Sequence, residues 1–261
     1  MNDPVIPFPT RKVPVAVARR ELEILEKTYP NAVTALDYDS PFTLLIAVML
    51  SAQTTDVRVN LITPFLFAKY PDAASLARAD VADVETIIKS SGFFRTKARN
   101  IIRTAQELVE RYHGEVPQER EALEALPGVG RKTASVVVSV AFAGAALAVD
   151  THVFRVSHRL GLTLGTTPRE VEDDVTKLVS SEKLRHAHHW LILHGRQICK
   201  APIPLCDRCP VAKLCPSAPI VARFLRAKAK KLKSAAAPAR RDAPAAAARR
   251  PARSASAKKK R

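Results

Sequence analysis

Apolar residues return every three or four positions through most of the chain, and no stretch alternates apolar and polar residues for long. That periodicity predicts helices and argues against strands. The first helix is expected from near Val15 to Tyr29, closed by Pro30-Asn31. Asp39-Ser40-Pro41 carries the signature of an N-cap with proline at the first helical position. The run Phe42 to Gln53 that follows is apolar on nearly every side, as suits a helix at the centre of a core. Further helices are predicted at about 57–69, 72–78, 81–90, 95–113, 118–125, 131–143, 151–160, 168–179 and 183–198. The fold class read from this pattern is all-α. The longest apolar stretch, Ala134 to Val149, is interrupted by Ser135, Ser139 and Gly144, and falls short of the roughly 20 residues that span a bilayer. The proline-punctuated N-terminus (Pro4, Pro7, Pro9, Pro14) shows no basic-then-apolar signal pattern, so an intracellular, cytoplasmic protein is expected, with no membrane partner.

Composition changes this picture mainly at one end. With 261 residues, 47% of them apolar, the chain can bury a real core. Its formal charge of +17 suggests nucleic acid, but the charge is unevenly placed. Residues 222–261 hold 15 of the 42 basic residues and one of the 25 acidic ones, which leaves +3 on the rest. Beyond Ala222 the sequence reduces to Ala, Pro, Lys and Arg, a composition that predicts a disordered basic tail.

All four cysteines fall between Cys199 and Cys215, spaced C-x6-C-x2-C-x5-C through Cys206 and Cys209. Clustered thiols in an intracellular chain favour a metal site over disulfides. Structural zinc usually takes two separated pairs, whereas here one C-x2-C pair is flanked by single cysteines. The spacing favours a compact four-cysteine [4Fe-4S] cluster. Lys200, Arg208 and Lys213 lie between the ligands. They would offset the cluster's negative charge, face phosphates, or solvate a surface loop.

Leu126-Pro-Gly-Val-Gly-Arg-Lys132 joins two glycines to a lysine at the head of an apolar run. It is not a phosphate-binding P-loop, which needs glycine immediately before the lysine and again six residues before it; Arg131 and Leu126 stand there. The stretch reads instead as a helix, a tight turn through Gly128, Val129 and Gly130, and a second helix. Such a hairpin offers backbone amides and a helix N-terminus to one phosphate, or is a plain αα-turn. The positive helix end and the Arg131 guanidinium both disfavour an ammonium on Lys132, which suits an amine nucleophile. Eighteen residues on, Asp150 precedes another helical pattern as an N-cap, a role compatible with presenting a carboxylate to a reaction centre.

The hairpin, the stretch Val149-Asp-Thr-His-Val-Phe-Arg155 and the cysteine loop together resemble endonuclease III. These are bacterial DNA glycosylase/AP lyases of the helix–hairpin–helix, Gly/Pro-rich loop, aspartate superfamily. Leu44 to Asp56 and His188 to Arg196 resemble them too, so the likeness runs from about residue 20 to Pro216. It implies two helical lobes with a DNA-binding cleft between them. One is a six-helix barrel at 34–144; the other combines 1–33 with a cluster lobe at 145–221, and the tail at 222–261 lies outside the likeness. Damaged double-stranded DNA, with oxidised pyrimidines or abasic sites, is the implied substrate, met by a monomer. The resemblance makes Lys132 the nucleophile at C1′ and Asp150 the catalytic carboxylate. It makes Gln53 the side chain that fills the gap left by a flipped base. Phe93 stands where the family commonly wedges a leucine, and His152 lines the lesion pocket. Gly128, Val129, Gly130, Arg131, Arg208 and Lys213 would contact the DNA backbone. A related adenine glycosylase typically lacks the lysine and carries a further ordered domain, and a non-catalytic DNA-binding module would need neither Lys132 nor Asp150. The histidines of the 188–194 stretch and Trp190 are expected to pack, since six residues between His188 and His194 do not align them on one face.

Overall fold

The structure, a computed structural model, describes residues 6–236, with side chains to residue 230. Every regular element among them is helical. The helices are α1 (Val15–Thr28), α2 (Pro41–Leu50), α3 (Asp56–Lys69), α4 (Ala73–Ala77), α5 (Val81–Ile87) and α6 (Phe94–Tyr112). They continue as α7 (Arg120–Glu124), α8 (Arg131–Ala141), α9 (Thr151–Arg159), α10 (Pro168–Thr176), α11 (Ser181–Gln197) and α12 (Ser217–Ala236), with one 3-10 turn at Cys206–Arg208. No helix among the described residues is long and apolar enough to cross a membrane.

Local chemistry sets where these helices begin. The Ser40 side chain accepts from Thr43 N while Thr43 Oγ1 accepts from the Ser40 amide, and Pro41 opens the first turn of α2. Thr167, Pro168 and Glu170 repeat the arrangement on α10. Phe42 through Leu50 are all buried, so α2 runs through the middle of the first apolar core. That core draws on residues from Leu36 to Val137, and α6 and α8 pack on α2 within it. The second core takes Ala18, Leu22, Leu25, Tyr29 and Ala32 from the N-terminal side and joins them to residues from Leu147 to Val211. The chain thus leaves the second core after α1, builds the first, and returns at Leu147.

One expectation needs correction. Composition predicts disorder from residue 222, yet α12 continues to Ala236. Ala, Leu, Lys and Arg are strong helix formers, and a helix already under way from Ser217 can extend on propensity without a core of its own. The predicted tail from 237 onward lies outside the described residues.

Candidate active site

The hairpin between α7 and α8 is held from within and from one neighbour. Val129 N donates to the Leu126 carbonyl at 3.1 Å, closing the turn. Thr104 Oγ1 on α6 donates to the Pro127 carbonyl at 2.7 Å. Gly128 has φ +76, and a Cβ there would meet Asn100 of α6 at 2.6 Å, so both backbone angle and close approach require glycine. Leu126 and Val129 are buried; the expected contact of Val129 with DNA therefore falls to its backbone alone. Gly130 is exposed and caps α8 without any side-chain hydrogen bond, leaving that helix's first amides open to an approaching anion.

Arg131 and Lys132, adjacent in sequence, part company. Successive residues on a helix point about 100° apart. Arg131 Nε donates to Glu172 Oε2 at 2.9 Å, and Arg120 Nη1 takes the other oxygen at 2.9 Å. Glu172 is buried on α10 of the second core. The Arg131 guanidinium, expected at a DNA phosphate, is thus engaged through Nε by a buried carboxylate of the second core. Lys132 stays exposed and lines an open cleft of about 770 Å³.

The same cleft receives Asp150, Gln53, His152 and Arg196. Asp150 caps α9: its Oδ1 accepts from His152 N and Val153 N, each at 2.8 Å. Both bonds fall on Oδ1, and Oδ2 takes no part in the cap. His152 is half-buried with Nδ1 3.2 Å from Arg155 Nη2. Burial holds its imidazole below the ordinary histidine value, which Asp150 partly offsets. A smaller hollow of about 110 Å³ shares Lys132, Asp150 and Arg196 and adds Asp56 and His188. Arg196, at the end of α11, donates through both terminal nitrogens to Asp56 Oδ2 at 3.1 Å, tying the start of α3 to the second core. Sequence reasoning gave no role to Arg196, Asp56 or Glu172. Asp56 and Arg196 close the two stretches, Leu44 to Asp56 and His188 to Arg196, that the resemblance drew on, whereas nothing pointed to Glu172.

Gln53 and Phe93 are brought close together. Both are exposed with left-handed backbone, φ 54 and 56. A Cβ on Gly92 would sit 3.4 Å from the Gln53 carbonyl oxygen, so their two loops touch. Phe93 is not among the residues of the cleft wall; its ring stands 68% exposed.

The four cysteines line one cavity together with Arg159 and His194. Burial pushes the Cys209 thiol up to about 11 and Cys215 up to about 12, with Cys206 raised for the same reason. Deprotonated sulfurs in such surroundings need a positively charged core between them. Among the described residues no His, Cys, Asp and Glu group of three or more is drawn together as a metal cage. The loop hangs on α9: Arg159 donates to the carbonyls of Lys200 (2.7 Å) and Pro202 (3.0 Å), and Arg155 to those of Cys199 (3.2 Å) and Gly195 (3.0 Å). So the helix capped by Asp150 also carries the cysteine loop. Arg208 and Lys213 are exposed on that loop and do not line the cleft. His188, His189 and His194 of α11 are buried, as is Trp190. His194 sits between the Tyr29 hydroxyl (3.2 Å) and Cys209 Sγ (3.6 Å). Burial drives His189 and His194 down to about 4, and His188 well below its ordinary value.

Residues 46–181 match the HhH-GPD superfamily of base excision DNA repair proteins. Endonuclease III of Synechocystis sp. is 51% identical over 198 residues, which cover 76% of this chain and 90% of that one. The chain belongs to the endonuclease III family. Endonuclease III of Escherichia coli is 47% identical over 199 residues, covering 75% of this chain and 94% of the relative. Among solved structures, a trapped endonuclease III–DNA covalent intermediate superposes with a TM-score of 0.76 at 44% identity, over 81% of this chain and 99% of that one. A thermostable thymine-DNA glycosylase gives 0.70 at 25% identity, over 78% and 96%. Family membership makes this chain a DNA glycosylase of base excision repair.

Proposed function

We propose that the chain removes oxidised pyrimidines from double-stranded DNA and cuts the strand at the abasic site through a Schiff base on Lys132. One observation carries this reading: Lys132 from α8 of the first core and Asp150 from α9 of the second line a single cleft. An amine on one wall and a carboxylate on the other is the pair that substitution at a sugar carbon requires.

The damaged nucleotide enters the cleft flipped from the stack, with its phosphate on the open amides of the hairpin. The Lys132 amine attacks C1′; the C1′–N bond breaks and the base leaves with the electron pair and a proton. Asp150 stabilises the positive charge that develops on the sugar, takes up the proton the amine sheds and passes it to the departing base. The sugar ring opens to an iminium on Lys132. Loss of a C2′ proton then expels the 3′ phosphate by β-elimination, and hydrolysis of the imine frees the lysine. Gln53 and Phe93 occupy the space the flipped nucleotide vacates; phenylalanine stacks well enough to wedge between bases. The protein acts on damaged duplex DNA as a monomer.

Cys199, Cys206, Cys209 and Cys215 would hold a [4Fe-4S] cluster. Its positive iron core would balance the four thiolates, and it would serve as a brace, since no cysteine lines the cleft.

The test is borohydride trapping on duplex DNA bearing an oxidised pyrimidine. A covalent adduct with the parent chain, absent in Lys132→Gln, is expected. Asp150→Asn should lower the single-turnover rate about 100-fold or more. Tight binding by the parent with no adduct would reduce the protein to a monofunctional enzyme or a binding module.

A further inference from the structure

Lys97 is a buried lysine on α6, 8% exposed and one turn past Phe93. Its Nζ donates to the Leu50 carbonyl at 2.8 Å and to Thr54 Oγ1 at 2.8 Å. Leu50 is the last residue of α2, and the final carbonyls of a helix lack intrahelical partners. Gln53 lies between the two acceptors in sequence. The ammonium thus spans the base of the loop that carries Gln53, from the helix carrying Phe93 at its head.

Both loop residues hold a left-handed backbone, an unfavourable conformation for a residue with a side chain. Such strain persists only where the surroundings over-determine it. Lys97 is the feature common to both loops. Burial works against its ammonium, holding it below the ordinary lysine value, and neutral acceptors return only part of that cost. An apolar side chain of the same length would fill the space with no charge to desolvate. A buried charge whose bonds run to one loop from the head of the other is suited to fixing geometry.

We propose that Lys97 is a positioning residue that locks the Gln53 and Phe93 loops in register, so that both side chains enter the duplex together when the damaged nucleotide flips out. The inference rests on the assignment of Gln53 and Phe93 as gap-filling and wedging residues.

The experiment uses full-length Lys97→Met, Gln53→Ala and Phe93→Ala with a duplex carrying 2-aminopurine opposite a stable abasic analogue. The 2-aminopurine brightens when its neighbours unstack. Lys97→Met is expected to lose most of this rise, as Gln53→Ala and Phe93→Ala do. It should also slow base excision from duplex DNA by about 30-fold. Its melting temperature and its borohydride trapping on a single-stranded abasic oligonucleotide, where no stack needs opening, should match the parent. If Lys97→Met keeps the fluorescence rise that the other two variants lose, Lys97 does not position the loops. An equal loss of single-stranded trapping would make the defect a general one and overturn the proposal. If Gln53→Ala and Phe93→Ala both leave fluorescence and excision intact, the assignment beneath the inference fails, and the inference with it.

Discussion

The two cores are closed by different means. The first buries apolar side chains around α2, and its interior polar groups are few and mostly partnered: Thr43 caps its own helix, Thr104 holds the hairpin, and Lys97 spans a loop. The second encloses Glu21, Arg159, Glu172, His188, His189 and His194. Several of these converge on the cysteine loop, through Arg159 to its carbonyls and His194 to Cys209. Hydrophobic patterning alone accounts for the first. The second depends on polar wiring whose centre is four thiols, so its stability is conditional on what those thiols hold. Since Asp150 caps the helix from which the loop hangs, half of the proposed Lys132–Asp150 pair inherits that condition.

The strongest way to break this comparison is to disable the thiols. Cys209→Ser should strip the visible absorbance that the proposed cluster gives the protein. Amide hydrogen exchange, followed by mass spectrometry, should then show α9 to α11 losing protection by about 100-fold while α2 and α6 stay within about threefold of the parent. Equal loosening of both cores would mean that they unfold as one unit and that the distinction has no energetic content.

Legibility in the sequence divides along the same line. The helices of the first core were readable because apolar spacing, the Ser40-Pro41 start and the paired glycines are local signals. Lys132, Asp150 and the cysteines stand out as candidates because each sits in a short distinctive string, and the structure brings Lys132 and Asp150 to one cleft and the cysteines to one cavity. What escaped were partners brought together only by folding. Asp56 and Arg196 are 140 residues apart, and Arg131 and Glu172 are 41 apart. Glu172, which holds Arg131, carries no local signal of that pairing. The α12 helix was missed for another reason: a composition too poor to build a core can still be rich in helix formers.

A smaller effect sharpens the contrast within the second core. Glu21 is fully buried and neither carboxyl oxygen has a hydrogen-bond partner. Burial raises its ionisation from 4.5 to about 8. In the folded chain it keeps its proton up to about pH 8, whereas in the unfolded chain it loses it near 4.5. Folding between those values takes up a proton, so stability falls as pH rises through that window and stays lower above it. Glu21→Gln should match the parent near pH 4.5 and exceed it at pH 8, by about 4 kcal/mol in urea unfolding. A constant difference at both pH values would show that Glu21 does not titrate on folding.

The smallest effect compares one cap in each core. Ser40 and Asp150 perform the same local task, accepting amide bonds at the start of α2 and α9. Replacing either by alanine should cost about 1 kcal/mol, read from the urea midpoint. The consequences should then diverge. Ser40→Ala leaves excision on duplex DNA unchanged, because that cap faces only its own helix. Asp150→Ala loses cap and carboxylate together. Asp150→Asn separates them, since asparagine caps as well as aspartate but carries no charge. Its unfolding midpoint should stay within about 0.5 kcal/mol of the parent while excision remains impaired. If Asp150→Asn instead recovers full excision, the residue serves only as a cap, and the second core contributes to the cleft a wall without a carboxylate's chemistry.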